Sequence, residues 1–283
     1  MIDCGLRSPA KAASVEVRVT KEIEHRIDTS VAHPARVYDY WLGGKDNFEA
    51  DRAVAEMVLK TEPGMIEAVR ENRAFLGRVV RHLAEAGISQ FLDIGTGIPT
   101  QGNTHEVAQS VNPAARIVYV DNDPIVMNHA RALLRGSEEG RTTYIEADLL
   151  EPETVLGDRS VLDTLDFSKP IAVIIIGTLM HIRNELDPWS AVKAYSAAVC
   201  PGSYLALSHT TADFEPEAMA AMAEIYRDTP TGMTHRSGPE IARFFDGYAF
   251  VEPGLVVGHQ WRPEGGVPKK VFAGGYGVVG RKL

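Results

Sequence analysis

The chain has 283 residues, 45% of them hydrophobic and 24% charged, with 25 Gly and 16 Pro, a composition that excludes collagenous, fibrous and wholly disordered classes. Its 38 acidic residues outnumber 29 basic ones, for a net charge of −9, so the molecule as a whole repels phosphate backbones and anionic lipid, and no nucleic-acid partner is expected. Two cysteines, Cys4 and Cys200, cannot build a disulfide framework or a four-thiolate metal site and read as free thiols of a reducing compartment. With no signal-peptide core near Met1 and no apolar run approaching the ~20 residues of a membrane span, no membrane partner is expected and the location is expected to be cytoplasmic.

Residues 1–30 are polar and aperiodic and read as a loose lead-in. Pro34 opens a short helix that runs through Trp41 and is stopped by Gly43 and Gly44. Asn47 is expected to cap a second helix with Ala50, Val54, Met57 and Val58 on one face, ended by Glu62-Pro63-Gly64. A third spans 65–86, with Ile66, Val69, Arg73, Leu76, Val80 and Leu83 at helical spacing and Gly87 as its stop. Residues 31–87 thus read as a helical N-terminal cap ahead of a core at 88–283.

After Gly87 short apolar runs at 91–94, 117–120, 142–145, 171–176 and 204–207 alternate with helical stretches at 104–111, 124–134, 156–165 and 188–199. This alternation predicts an α/β fold with a mainly parallel sheet covered on both faces. Two final strands, 248–257 and 270–279, enclose a segment with Pro263, Gly265, Gly266 and Pro268. That segment has no room for the helical crossover of a parallel return, so the pair is expected to be antiparallel.

The first run passes through Asp93 into the turn Gly95-Thr96-Gly97. Glycine there lets the backbone adopt torsions closed to other residues and approach a ligand closely. A dinucleotide fingerprint would need a third glycine where this chain has Thr100. The form D-x-G-x-G instead resembles motif I of the class I S-adenosyl-L-methionine (SAM) methyltransferases. That resemblance implies a Rossmann-like, seven-stranded sheet with an antiparallel C-terminal strand, and a loop of Gly95, Thr96 and Gly97 that carries the amino-acid end of the cofactor. It also implies that Asp93 helps fix the ammonium group.

The second run ends in Asp121, and a carboxylate at that place can accept both hydroxyls of a ribose bound at the switch point of the sheet. Asn122 follows it, while Asp123, directly before Pro124, reads as a helix cap. In the resembling family an acidic side chain after the third strand meets the adenine amino group, which nominates Asp148 with its neighbour Leu149. The almost purely apolar fourth run reads as a central strand. It ends at Gly177, and His181 just beyond is a candidate base, with a pKa near neutrality in its ordinary state.

The block His33-Pro34-Ala35-Arg36-Val37-Tyr38-Asp39-Tyr40-Trp41-Leu42-Gly43-Gly44-Lys45-Asp46-Asn47-Phe48, followed by Ala50-Asp51-Arg52, resembles the N-terminal signature of an actinobacterial family of SAM-dependent methyltransferases, methyltransferase family 19, largely without assigned substrates. The likeness extends from about residue 27 to the end. It implies methyl transfer from SAM, with S-adenosylhomocysteine as product, beneath a helical lid, and it supplies no acceptor. A sulfonium is favoured near aromatic faces, which nominates Tyr38 or Phe48 over the cofactor. Tyr38, Asn47 and His181 are the candidate catalytic residues, Gly43-Gly44 is a place for a hinge, and no metal site is read. The acidic chain favours a small-molecule acceptor. The rivals are a SAM-binding regulatory or ligand-binding protein without transfer, and a nicotinamide oxidoreductase, which Thr100 and the antiparallel ending disfavour. Neither the acceptor atom nor the oligomeric state is read from the sequence.

Overall fold

The computed structural model describes residues 27–133, 136–227, 229–266 and 272–283. Most of the expected lead-in, Cys4, Leu134 and the first two residues of the expected 270–279 strand therefore lie outside the described residues.

Helices α1 (Pro34–Trp41), α2 (Glu49–Thr61) and α3 (Met65–Glu85) precede the sheet. Pro34 occupies the first turn of α1, where its fixed φ suits a helix and its missing N–H costs nothing. The cap of α2 is Phe48, not Asn47: the Asp51 carboxylate, three residues on, accepts the Phe48 N–H at 2.8 Å, while the Asn47 side chain bonds elsewhere. Met57, expected on the inner face of α2, is 43% exposed, and Ala55 is buried in its stead beside Val54 and Val58.

The sheet has the order β3-β2-β1-β4-β5-β8-β6, with β1 (Gln90–Ile94), β2 (Arg116–Asp121), β3 (Arg141–Glu146), β4 (Ala172–Ile176) and β5 (Tyr204–Thr210) parallel. β8 (Gly275–Lys282) runs antiparallel to β5, and β6 (Tyr248–Phe250) and β7 (Val256–Val257) share its other edge. The fold is therefore the mainly parallel α/β sheet with one reversed C-terminal strand. Among the described residues, eight strands stand where seven were expected because the 248–257 stretch is interrupted: Val251 still donates to Val279 O at 2.8 Å, and the chain then leaves the ladder until Val256. The last strand begins at Gly275 rather than 270.

Alternate strand residues point to opposite faces. Leu92, Val118, Val173 and Leu205 join one core cluster with Val192 and Tyr195 of α8 (Pro188–Ala198), while Phe91, Ile117, Ala172 and Ala206 join another with Phe75, Leu76 and Val80 of α3. The boundary expected at residue 87 is thus not a packing boundary, because α3 forms one layer of the sheet core. α4 (Thr104–Val111) and α5 (Pro124–Leu133) match the periodicity. The 156–165 stretch does not: it divides into α6 (Pro152–Gly157) and α7 (Arg159–Thr164), since Asp158 turns the chain and caps α7 through Ser160 N at 2.6 Å.

Two helices arise where the sequence reading placed none, α9 (Pro216–Tyr226) and α10 (Gly238–Ala242). Met219, Met222 and Tyr226 of α9 close a separate cluster with Val37 and Trp41 of α1, Val54 and Val58 of α2, and Val69 at the start of α3. Among the described residues, no helix is long and apolar enough to cross a membrane.

Candidate functional site

The carboxyl ends of β1, β2 and β4 open into a cavity of about 650 Å3, closed on the far side by α1 and on its flanks by α3 and the loop after β4. The β1 turn supplies Asp93, Gly95, Thr96 and Gly97, and the β2 end supplies Asp121 and Asn122. Asp148 and Leu149 follow β3, Gly177 and His181 follow β4, and Tyr38 comes from α1. Eleven of the thirteen residues nominated by sequence therefore share one lining, and Asn47 and Phe48 are absent from it.

Gly95 and Gly97 have φ of +73° and +66°, the region closed to β-branched residues. A Cβ on Gly95 would lie 2.2 Å from Thr178 Oγ1, so this glycine lets the β1 and β4 turns touch. The close-approach argument belongs to Gly97 instead, where a Cβ would meet nothing within 4 Å and the backbone borders the cavity. Gly97 N–H donates to Asp121 Oδ2 at 2.9 Å, and Asp123 N–H donates to Asp121 Oδ1 at 2.9 Å. The carboxylate is thereby held in one orientation, and burial pushes its pKa up.

Asp93 is buried and accepts the Thr104 hydroxyl at 2.5 Å, and desolvation raises its pKa to about 6. Arg73, which sits within the apolar stripe of α3, lines the same cavity and opposes that rise. Asp148 is fixed by Leu150 N–H at 2.8 Å and by Asn122 Nδ2 at 3.1 Å. Asp123 caps α5 through Ile125 N at 2.8 Å and turns its other oxygen to His33 Nδ1 at 3.0 Å; His33 lines the cavity and Asp123 does not.

On the α1 side the Tyr38 hydroxyl donates to Val69 O at 2.9 Å and accepts from Asn72 Nδ2 at 3.1 Å, and burial pushes its pKa up. Tyr38 is therefore a wall whose proton is committed. Asn47 donates to Asp39 Oδ2 at 2.8 Å and to Gly44 O at 3.2 Å, and Asp39, which also accepts Asp46 N–H at 3.0 Å, lines the cavity in its place. The Phe48 ring lies beneath the Arg36 guanidinium at 5.4 Å and packs on the Ile98, Ile125 and Val126 cluster. Asp51, 0% exposed, joins Arg36 Nε at 3.2 Å, His33 N at 2.8 Å and Phe48 N. Arg36 and Asp51 thus form a buried clamp that holds α1 over the cavity. Gly43 and Gly44 bond back to Tyr40 O and Asp39 O, both at 2.9 Å, which closes the turn rather than leaving a loose hinge.

His181 departs from its expected chemistry. Its Nδ1 donates to Gly232 O at 3.3 Å and burial lowers its pKa to about 4, so near neutrality the ring is uncharged, with Nε2 as its acceptor. The loop that carries it is organised by Arg236, 0% exposed, a residue the sequence reading missed because nothing in its local sequence marks it. The Arg236 guanidinium donates to Leu179 O at 2.8 Å, Ile182 O at 2.8 Å, Asn184 Oδ1 at 2.7 Å and His209 Nε2 at 2.6 Å, and lies 4.9 Å from the Trp189 ring. Burial lowers its pKa to about 10. Among the described residues, no group of three His, Cys, Asp or Glu side chains is arranged to hold a metal ion.

Residues 20–283 match a family described as S-adenosyl methyltransferase. Two solved structures are similar along nearly their whole lengths. A DUF574 family protein from Streptomyces avermitilis is 43% identical, with a TM-score of 0.88 over 90% of this chain and 99% of that one. A protein from Thermobifida fusca, proposed to be a methyltransferase, is 45% identical, with a TM-score of 0.83 over 90% and 96%. At the level of the fold alone, magnesium protoporphyrin IX methyltransferase from Synechocystis with bound S-adenosylhomocysteine is similar at 13% identity and a TM-score of 0.51, over 77% of this chain and 87% of that one. A comparison with the curated proteins found no match. The match over nearly the whole chain, the relatives above 40% identity and the class I arrangement of the sheet show that the chain belongs to this family of SAM-dependent methyltransferases.

Proposed function

We propose that this chain transfers a methyl group from SAM to a small-molecule acceptor, in the cavity at the carboxyl ends of β1, β2 and β4. The observation that carries the reading is the convergence on one cavity of a side-chain-free wall at Gly97 and two buried carboxylates, Asp93 and Asp121. These residues fit an elongated group with an ammonium at one end and a ribose diol in the middle. Asp93 would hold the ammonium, Asp121 the diol, and Asp148 with Leu149 the base. When bound, SAM supplies a methyl group on a sulfonium that is already an excellent leaving group. The chain's share is therefore positioning and exclusion of water, in which α1 and Tyr38 form the cover. His181 accepts a hydrogen bond through Nε2 and, with a pKa of about 4, gives activity no limb between pH 6 and 7. Incubation with methyl-labelled SAM and a metabolite extract tests the reading; it predicts a labelled product and stoichiometric S-adenosylhomocysteine. Tight S-adenosylhomocysteine binding with no labelled product in any extract would leave a binding protein only.

Two variants probe the turn and its acid. Asp93 is protonated below its pKa of about 6 and then cannot pair with an ammonium. Affinity for S-adenosylhomocysteine should be level above pH 7 and fall roughly tenfold per unit below 6. Thr104→Val, which removes the hydroxyl donor, should move that midpoint upward. Affinity that stays flat from pH 5 to 8 would take Asp93 out of the site. Gly95→Val should abolish binding, because its side chain displaces Thr178 and cannot adopt φ of +73°. Unimpaired binding by this variant in calorimetry would detach the turn from the site.

A further inference from the structure

Beside the large cavity lies a chamber of about 130 Å3 between α1, α3, α9 and the ends of β5 and β8. The two share Pro34, Tyr38, Asn72, Gly177 and His181, so the cavities adjoin at these residues and an occupant of one lies beside an occupant of the other. We propose that this chamber holds the ring of the methyl acceptor, and that the acceptor is a neutral single-ring aromatic molecule with one polar substituent, of the phenol or aniline type. The proposal rests on the methyl-transfer reading above.

The volume suits one ring, since an apolar cavity of roughly 150 Å3 takes benzene. Five of the chain's eight methionines, Met65, Met180, Met219, Met222 and Met233, line the chamber. Thioethers are polarizable, reshape to fit and make favourable contacts with ring edges, so this wall selects a flat π-system over an aliphatic body of the same size. Among the described residues neither Lys nor Arg lines the chamber, and the carboxylate of Glu71, which does, lies 3.7 Å from Arg78 Nη1. The lining histidines His181, His209 and His259 are kept neutral by burial, which lowers the first two to about 4 and about 3 and pushes the third below its ordinary value. A carboxylate substituent would therefore meet no counter-charge from the described residues of the lining, and burying it unpaired carries a large cost.

Ser208 and His181 each offer a polar atom to the occupant. Ser208 is 5% exposed, lines the chamber, and its Oγ has no hydrogen-bond partner, an arrangement that a bound polar atom would complete. His181, on the shared wall, has Nε2 left as an acceptor for the O–H or N–H of the occupant.

Calorimetry at pH 7 in the presence of S-adenosylhomocysteine tests this with p-cresol, 4-methylcyclohexanol and 4-hydroxybenzoate. Saturable p-cresol binding is expected, with each of the other two weaker by about tenfold or more. Met222→Trp, which fills the chamber, should abolish p-cresol binding and leave the Kd of S-adenosylhomocysteine within about twofold, and Ser208→Ala should weaken p-cresol by roughly three- to tenfold. If Met222→Trp does not fold, the wild-type comparison and Ser208→Ala decide. No saturable p-cresol binding, equal or tighter binding of 4-hydroxybenzoate, or undiminished p-cresol binding in the filled variant overturns the chamber. A chain that binds p-cresol in this pattern yet fails to bind S-adenosylhomocysteine upholds the chamber and overturns the methyl-transfer reading instead.

Discussion

Replacing Asp121 by Ala should weaken S-adenosylhomocysteine binding by roughly 10- to 150-fold, about 1.5–3 kcal/mol, the range for losing a charged acceptor of hydrogen bonds. Each Asp121 oxygen already accepts one backbone N–H, from Gly97 and from Asp123. The remaining lone pairs are therefore aimed by the fold before any ligand arrives, and no rotamer freedom is lost on binding. The variant also releases the Gly97 amide and so loosens the turn beside it, which places the expected loss toward the upper end of the range. Asp148→Ala should cost less, because only one oxygen of that carboxylate is held by a backbone N–H, from Leu150, and the other is held by the side-chain amide of Asn122. Calorimetry on both variants, with circular dichroism to confirm the fold, checks the ranking. An unchanged Kd for Asp121→Ala would remove this carboxylate from the site.

Arg236→Met should lower global stability by about 3–5 kcal/mol, because Leu179 O, Ile182 O and His209 Nε2 are left in the interior without their donor. In a chain of this size that is a fall in Tm on the order of 10 °C. Arg236→Lys should recover little: an ammonium has three donors and no planar fork, whereas the guanidinium reaches four acceptors from five N–H groups and stacks on Trp189. Because Leu179 and Ile182 flank His181, the variant should also disturb the shared wall of the two cavities. Denaturant unfolding measures the first effect, and the His181 imidazole resonances, followed against pH, measure the second. Wild-type stability in Arg236→Met would mean that water satisfies those acceptors.

What could be read from the amino-acid order was whatever is short-range. The 3.6-residue period located α1 to α5 and short apolar runs located β1 to β5, because each pattern is local to its element. The D-x-G-x-G turn and the carboxylates after β1, β2 and β3 could be named because a parallel sheet delivers all its strand ends to one edge. The absence of a crossover between the last two stretches was enough to reverse β8.

Packing between distant segments decided the rest. Asn47 and Phe48 looked like site residues because polar and aromatic side chains crowd that block. The fold turns Asn47 onto Asp39 and Phe48 beneath Arg36, since Asp51 must satisfy the buried His33, Arg36 and Phe48 donors at once. His181 lost its neutral pKa to burial against Tyr226 and Gly232, both some fifty residues away. α9 went unseen for the same reason, as its inner face acquires meaning only when α1 and α2 are laid against it. Periodicity and turn chemistry are set by neighbours in sequence, whereas desolvation, counter-charge and cavity shape are set by neighbours in space, and those exist only once the chain has folded.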